Sequence, residues 1–434
     1  MSARTIAAIS TPPGEGGISV IRISGDDALS VADKCFRSFS GKSLSSLKGY
    51  SALYGEIVSG HDVVDDAVAL VFRAPKSYTG EDTVELSVHG GKLVAQKVLR
   101  IAFDCGAVPA DRGEFTKRAF LNGKIDLTRA ESIIKVITAK NDIALKISQS
   151  AKNGRIAKEI NTIIERLLEL AASFSVYADY PDEEIENLDP DSFLASINDI
   201  LKRFSDMTDN YDTGKKICDG IECVIVGKPN VGKSTLMNRL CKCDRSIVTD
   251  VAGTTRDVVD STVVLDDITL ILSDTAGIRK TADAVEKAGV DRSIDKLNAS
   301  SLIIAVFDLS RPFDDDDRNI LEMLPDNAII VLNKSDLERA IDRSFFKTGN
   351  VVEISAKNDL GIERLTDLIL KTVKCENLDV DDAILISERQ LDCVKKATES
   401  LVEAKRAMEN NVTLDAVGIC IDDALGWLYE LTGK

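Results

Sequence analysis

Four short segments carry residue types and spacings suited to a nucleoside triphosphate. The segment Gly227-Lys-Pro-Asn-Val-Gly-Lys-Ser234 follows an apolar, β-branched run and opens a helical stretch, the context a phosphate loop requires. Its glycines let backbone N–H groups face an anion, and the helix N-terminus adds its dipole. Asn230, Val231, Gly232, Lys233, Ser234 and Thr235 would lie along the phosphates. There Lys233 reaches the β- and γ-phosphates, and the Ser234 hydroxyl is offered to Mg2+. Taken alone, the spacing also fits a glycine-rich turn with a chance lysine.

The other three segments decide between these readings. Asp274, Thr275, Ala276 and Gly277 end a strand, where the carboxylate can hold magnesium through water and Gly277 can meet the γ-phosphate. Asn333-Lys334-Ser-Asp336 ends another strand. The Asp336 carboxylate can accept from guanine N1–H and the exocyclic amine, donors that adenine does not present there. Ser355, Ala356 and Lys357 follow a last strand, placed to support the base. All four stand in order at strand C-terminal ends, where ligands bind in open α/β sheets. The set points to GTP as substrate.

Hydrolysis needs a group to orient water, and the position after Gly277 is Ile278, which can orient nothing. Thr249, Asp250, Val251, Ala252, Gly253, Thr254, Thr255 and Arg256 read as a switch loop, with Thr255 or Thr254 available to magnesium. Arg256 and Arg279 read as structural or solvent-facing, and no arginine finger is evident.

The elements that must position these segments are short β-branched runs alternating with helical stretches. Ile221–Val226, Ser261–Leu265, Ile268–Leu272, Leu302–Phe307, Ala328–Leu332 and Val351–Ile354 predict a mostly parallel, doubly wound sheet, with a hairpin at Asp266-Asp267. Upstream, strands at Ile18–Ile23, Val63–Phe72 and Val84–Val88 and a helix at Lys92–Phe103 predict a compact α+β domain. Helical periodicity runs through Ile133 to Leu170, is interrupted at Pro181, and resumes over Asp191–Met207 before Gly214. Helices return at Ser387–Met408 and Thr413–Leu431. The expected class is therefore multidomain α/β, with the GTP-binding unit inserted into one helical domain made from both flanks. The boundaries are residues 1–117, 118–216, 217–375 and 376–434.

A chain of 434 residues is too long for one ordinary core, and roughly two to four domains are the prior. No apolar run approaches the roughly twenty residues of a membrane span, and the start lacks a leader pattern. A cytoplasmic protein without a membrane partner is expected. The nine cysteines include no Cys-x-x-Cys pair, and only His61 and His89 could join them in a metal site, so reduced and mostly buried thiols are expected. Net charge is −17, so the chain as a whole does not grip nucleic acid electrostatically; a local patch or a basic partner would have to hold RNA.

The Gly253-Thr-Thr-Arg256 switch and Asn230 resemble the translation-factor-related GTPases of RNA metabolism. The flanks narrow this. Thr11-Pro-Pro-Gly-Glu-Gly-Gly17, Ile21-Arg-Ile-Ser-Gly25, Tyr78-Thr-Gly-Glu-Asp82, His89-Gly-Gly91, Arg112-Gly-Glu-Phe115, Arg118-Ala-Phe-Leu-Asn122 and Tyr180-Pro-Asp-Glu-Glu184 resemble, in order and over nearly the whole chain, the MnmE (TrmE) family of tRNA modification GTPases. The resemblance implies an N-terminal folate-binding, dimerising domain, a discontinuous helical domain and an inserted G domain. It implies a homodimer and a flavoprotein partner, MnmG (an FAD protein), in a heterotetramer. Its implied chemistry adds an aminomethyl-type group at C5 of the tRNA wobble uridine, using a tetrahydrofolate derivative (5,10-methylene or 5-formyl) and GTP.

Further roles come only from the resemblance. Potassium would be held at Asn230, Thr249, Val251 and Thr254, where a fixed cation beside the phosphates offsets developing charge as an arginine finger would. Glu286 would position water; from the residues alone it is a helix-surface carboxylate. Arg22, Glu85 and Lys124 match folate contacts, although by spacing alone each is a solvent-facing charge. The family pattern closes on Cys-x-Gly-Lys, whereas this sequence closes on Leu431-Thr-Gly-Lys434. Cys420 is no equivalent of that cysteine, and Lys434 matches the family's lysine only in being last. Two other functions fit parts of the sequence: a GTP-dependent ribosome-assembly or RNA switch without modifying activity, and a folate-dependent transferase that uses the GTPase only for regulation.

Overall fold

The computed structural model describes residues 4–179, 190–241, 261–265, 268–273, 302–346, 350–373, 382–410 and 412–434. The chain forms two units, Met1–Ala130 and Glu131–Lys434.

Alternating apolar residues build the first unit. Strands β1 (Ile6–Ile9), β2 (Ile18–Ser24), β3 (Phe36–Ser38), β4 (Ser51–Ser59), β5 (Asp62–Phe72), β6 (Thr83–His89) and β7 (Val108–Pro109) form one sheet in the order β3-β4-β5-β6-β2-β1-β7. β1 and β7 are parallel, and the other neighbours are antiparallel. Side chains alternate between faces along a strand. Ile21 and Ile23 on β2, with Val84 and Leu86 on β6, therefore point into a core shared with α1 (Ala28–Cys35) and α2 (Lys92–Asp104). The same period puts Arg22 and Glu85 on the other face, directly opposite each other in register. Helix α3 (Glu114–Leu121) follows. The expected strands and helix appear within a residue or two. β1, β3, β4, β7, α1 and α3 are found in addition to the expected elements.

Helix α4 (Leu127–Thr138) carries the chain into the second unit, followed by α5 (Asp142–Lys152), α6 (Arg155–Asp179) and α7 (Pro190–Asp219). On α6, Ile156, Ile160, Ile163, Ile164 and Leu167 recur at helical spacing and are all buried. They share one core with Phe204 and Tyr211 of α7 and with residues that follow far along the chain. Those residues are Val394 and Leu401 of α11 (Glu388–Glu409), and Leu428 and Leu431 of α12 (Leu414–Thr432). The helical layer is thus discontinuous in sequence. Each fully buried Ile or Leu contributes about 1.5–3 kcal/mol, so this shared core, not local propensity, joins the two segments. A polar staple reinforces it. Glu131 accepts from Arg389 Nε (2.6 Å), Ser387 Oγ (3.0 Å) and Gln390 Nε2 (2.6 Å), and Arg389 also donates to the carbonyls of Glu430 and Leu431 near the end of α12.

One expectation is corrected here. The helix after Pro190 does not stop before Gly214 but runs on to Asp219. Gly214 faces Ile384 so closely that a Cβ would stand 2.6 Å from the Ile384 Cγ2 atom, so the glycine marks a close approach inside the core and not a break. The helix ends at Gly220, whose φ of +94° favours a residue without a Cβ.

Between the helical segments lies a six-stranded sheet: β8 (Ile221–Val226), β9 (Ser261–Leu265), β10 (Ile268–Ser273), β11 (Leu302–Asp308), β12 (Ile329–Asn333) and β13 (Val351–Glu353), in the order β13-β12-β11-β8-β10-β9. Its neighbours are parallel except β9 and β10, which pair antiparallel with Leu265 opposite Ile268. Asp266 and Asp267 themselves lie outside the described residues. β11 is buried at every position, as a strand covered on both faces must be. Helices α8 (Lys233–Leu240), α9 (Asp315–Glu322) and α10 (Ile362–Val373) accompany the sheet. Among the described residues no helix is long and apolar enough to cross a membrane. Burial pushes the Cys35 and Cys223 thiols up to about 12 and the Cys218 thiol up to about 11, which makes them poor nucleophiles and ligands.

Candidate nucleotide site

The site stands at the C-terminal ends of β8, β11, β12 and β13. β8 leads into Gly227, where φ is +146° and a Cβ would lie 2.3 Å from the Val306 carbonyl oxygen, so the chain can turn here only at glycine. Asn230 follows with φ +64°, in the left-handed region that asparagine tolerates better than most residues. Gly232 then caps α8 with φ +99°. Lys233 Nζ donates to the carbonyls of Gly227 and Lys228, both at 2.7 Å, and so crosses the loop that it would share with phosphates. Ser234 and Thr235 are exposed in the first turn of α8, in position to meet phosphate and metal.

The base-recognition segment is tied directly to this loop. Asn333, the buried last residue of β12, donates from Nδ2 to the Val231 carbonyl (2.8 Å) and accepts at Oδ1 from the Ala356 backbone N–H (3.0 Å). One amide thus fixes the phosphate loop against the Ser355–Lys357 segment. A Cβ at Gly232 would stand 2.2 Å from Asn333 Nδ2, so with Asn333 in place this position requires glycine. Beyond it, Asp336 is exposed. A hydrogen bond from Ser355, aided by the Lys357 charge, holds its carboxyl below the usual carboxylate range. Its ionised form accepts hydrogen bonds, as guanine requires.

Lys334 has φ +65°, and its Nζ reaches Asp308 Oδ2 at 2.5 Å. Asp308 is the last residue of β11 and is paired with Asn333 in register. Burial disfavours its charge, but hydrogen bonds from Lys334 and Ser310 outweigh that and hold the carboxyl low.

Asp308 was missed in the sequence, although its place at a strand C-terminal end was a usable signal. Two other supports had no such signal. Arg239 of α8 donates to the carbonyls of Ala356 (3.1 Å) and Lys357 (3.0 Å) and pairs with Asp359 (2.8 Å). Lys228, inside the phosphate loop, pairs with Asp314 and lies 3.5 Å from both Asp316 and Asp317 at the start of α9. Burial opposes the Lys228 charge, but these carboxylates outweigh it and raise its pKa.

The structure therefore brings together Asn230, Val231, Gly232, Lys233, Ser234 and Thr235 with Asn333, Lys334, Asp336, Ser355, Ala356 and Lys357. The expected switch residues Thr249, Asp250, Val251, Ala252, Gly253, Thr254 and Thr255 lie outside the described residues, as do Asp274, Thr275, Ala276, Gly277 and Glu286. Among the described residues no group of three His, Cys, Asp or Glu side chains forms a metal cluster. Of the residues expected to meet magnesium, Ser234 lies among the described residues, and Thr255 and Asp274 lie outside them.

In the first unit Arg22 and Glu85 are an ion pair at 2.8 Å. The Arg22 guanidinium also lies 5.2 Å from the centre of the Tyr78 ring and 5.4 Å from that of Phe115. Lys124 Nζ donates to the Pro75 carbonyl at 3.0 Å.

The doubly wound sheet, its phosphate loop and the Asn333–Asp336 segment define a P-loop GTPase, carrying an α+β unit before it and helical segments on both sides. Residues 5–124 match the family described as the GTP-binding protein TrmE N-terminus, and residues 127–434 match the MnmE helical domain. The chain is 39% identical over 435 residues to a tRNA modification GTPase MnmE of Clostridioides difficile strain 630, covering 99% of this chain and 95% of that one. It is 40% identical over 438 residues to the MnmE of Carboxydothermus hydrogenoformans and 39% over 432 residues to that of Finegoldia magna, with the same coverage. The chain belongs to the MnmE (TrmE) family of tRNA modification GTPases.

Proposed function

We propose that this protein hydrolyses GTP as the driving step of wobble-uridine modification in tRNA, working in the cytoplasm as a homodimer with an MnmG-like FAD protein. The observation that carries the reading is the joined site: one Asn333 amide holds the phosphate loop and the guanine-side segment together, within a chain similar to MnmE proteins over 99% of its length. The domain limits inferred from the sequence, 1–117, 118–216, 217–375 and 376–434, are part of this proposal.

Within the site, Lys233 and the loop N–H groups bind the phosphates, Ser234 and Thr255 meet magnesium, and Asp336 selects guanine. Potassium held by Asn230, Thr249, Val251 and Thr254 would supply positive charge beside the phosphates. Glu286 would position the water, a role that Ile278 cannot fill. Arg22, Glu85 and Lys124 would hold a tetrahydrofolate derivative, the source of the one-carbon unit. The Arg22–Glu85 pair, with Arg22 near the Tyr78 and Phe115 rings, supports that reading, because it sets a donor and an acceptor close to aromatic side chains.

The test is reconstitution of the full-length protein with the flavoprotein, GTP, folate and tRNA, followed by nucleoside analysis. Modified uridine formed only with GTP is the expected result. GTP hydrolysis without modified uridine would favour an RNA or ribosome-assembly switch, and product without GTP would favour a transferase merely regulated by the G domain.

A further inference from the structure

A groove of about 800 Å³ lies where α5 turns into α6. Gly154 makes this turn with φ +87° and brings the end of one helix beside the start of the next. Lys146, Arg155 and Lys158 line the groove together with the polar side chains of Gln149, Ser150 and Asn153. No acidic and no apolar side chain lines it, in a protein with 71 acidic and 54 basic residues. All three cations are exposed. Among the described residues none of the three charged side chains has an ion-pair or hydrogen-bond partner, whereas Arg22, Arg118, Arg203, Arg239 and Arg389 are all committed to carboxylates. The neighbouring Glu159 does not neutralise the groove, because it pairs with Arg203 at 3.0 Å. Arg155 and Lys158 also stand in the first turn of α6, which holds no acidic residue. The helix dipole disfavours cations there, so their placement is not explained by folding.

We infer that this groove is a contact surface for the phosphodiester backbone of RNA, and, resting on the function proposed above, that the RNA is tRNA. Unpaired cations interleaved with amides and a hydroxyl fit phosphate and ribose oxygens. A protein partner would instead call for an apolar or aromatic centre, which the lining does not provide. The patch also resolves how a chain of net charge −17 can hold a polyanion: attraction is confined to one face.

The test is binding of a fluorescently labelled tRNA transcript to the full-length protein, followed by anisotropy over a salt series. The variants are the triple reversal Lys146→Glu, Arg155→Glu, Lys158→Glu, the milder triple change to Gln, and a control reversing the exposed Lys42 and Lys48 of the first unit. The groove reversal is expected to weaken binding at least about tenfold and to flatten the log K against log salt slope by about 2, since each phosphate contact contributes roughly 0.7–0.9. GTP turnover and circular dichroism should match the unaltered protein, and the Gln triple should fall between. Unaltered binding by the groove variants, or an equal loss in the control, overturns the inference while leaving the tRNA function standing. If the unaltered protein binds no tRNA, the groove inference fails, and the reconstitution test alone then decides the tRNA function.

Discussion

Asn333 Nδ2 lies 2.8 Å from the carbonyl oxygen of Val231, so the residue that ends β12 holds the phosphate loop in place. With its Oδ1 on the Ala356 N–H, the same side chain makes the phosphate and base ends of the site one object.

Replacing Asn333 with Ala should therefore injure both ends at once. The Val231 carbonyl and the Ala356 N–H would each lose a buried partner, a loss of about 1–3 kcal/mol apiece. GDP and GTP affinity, measured with a fluorescent nucleotide, should fall at least about tenfold, and thermal stability should drop in the nucleotide-free protein. A variant that binds GTP normally would show that the bridge is incidental.

Asp336 gives a pH signature. Its folded pKa is depressed, so its contribution is present above the usual carboxylate value, about 3.9, and is lost only as pH falls through the lower folded value. Asp336 should accordingly impose no change on guanine nucleotide affinity between about pH 8 and pH 5. A midpoint near neutrality would point to another titrating group. Asp336→Asn should weaken GTP strongly and favour xanthosine triphosphate, because an amide can donate to the xanthine 2-oxo group.

Cation dependence tests Asn230. At equal ionic strength GTP turnover should be faster in potassium than in sodium, and Asn230→Ala should remove that preference. Turnover that falls in both salts while the preference persists would put the potassium ligand elsewhere.

Glu131 tests whether the two helical segments fold as one. Glu131→Ala strands donors on Ser387, Arg389 and Gln390 and should lower unfolding free energy by about 1–3 kcal/mol in urea titration. Glu131→Gln, which keeps the volume and an acceptor, should lose less. Equal losses from both would mean that the carboxylate charge carries the effect.

Gly214→Ala weighs two opposing terms. Helix propensity alone favours Ala by about 1 kcal/mol. The added Cβ, however, would stand 2.6 Å from the buried Ile384, and overpacking of that kind costs about 1–3 kcal/mol. The expected result is net destabilisation; a stabilised variant would show that the helix pair can part without loss.

The sequence by itself determined the class of the fold and which local segments could meet a nucleotide. Gly227 to Ser234, Asn333 to Asp336 and Ser355 to Lys357 are local segments, and short-range rules of backbone freedom and hydrogen-bonding capacity identify what each can bind. Strand and helix periods were legible for the same reason, since β11 and α6 declare their burial in every few residues. What joins distant segments was left to the tertiary structure. No local pattern announces that Asn333 reaches Val231, that Arg239 braces the base segment, that Glu131 binds Arg389, or that Gly214 faces Ile384. Each depends on which strand or helix lies beside which, and that choice is made by the shared core, whose hydrophobic energy has no address in sequence. The Gly227–Ser234 loop could thus be recognised from its residues, but only the fold shows the amide that holds it.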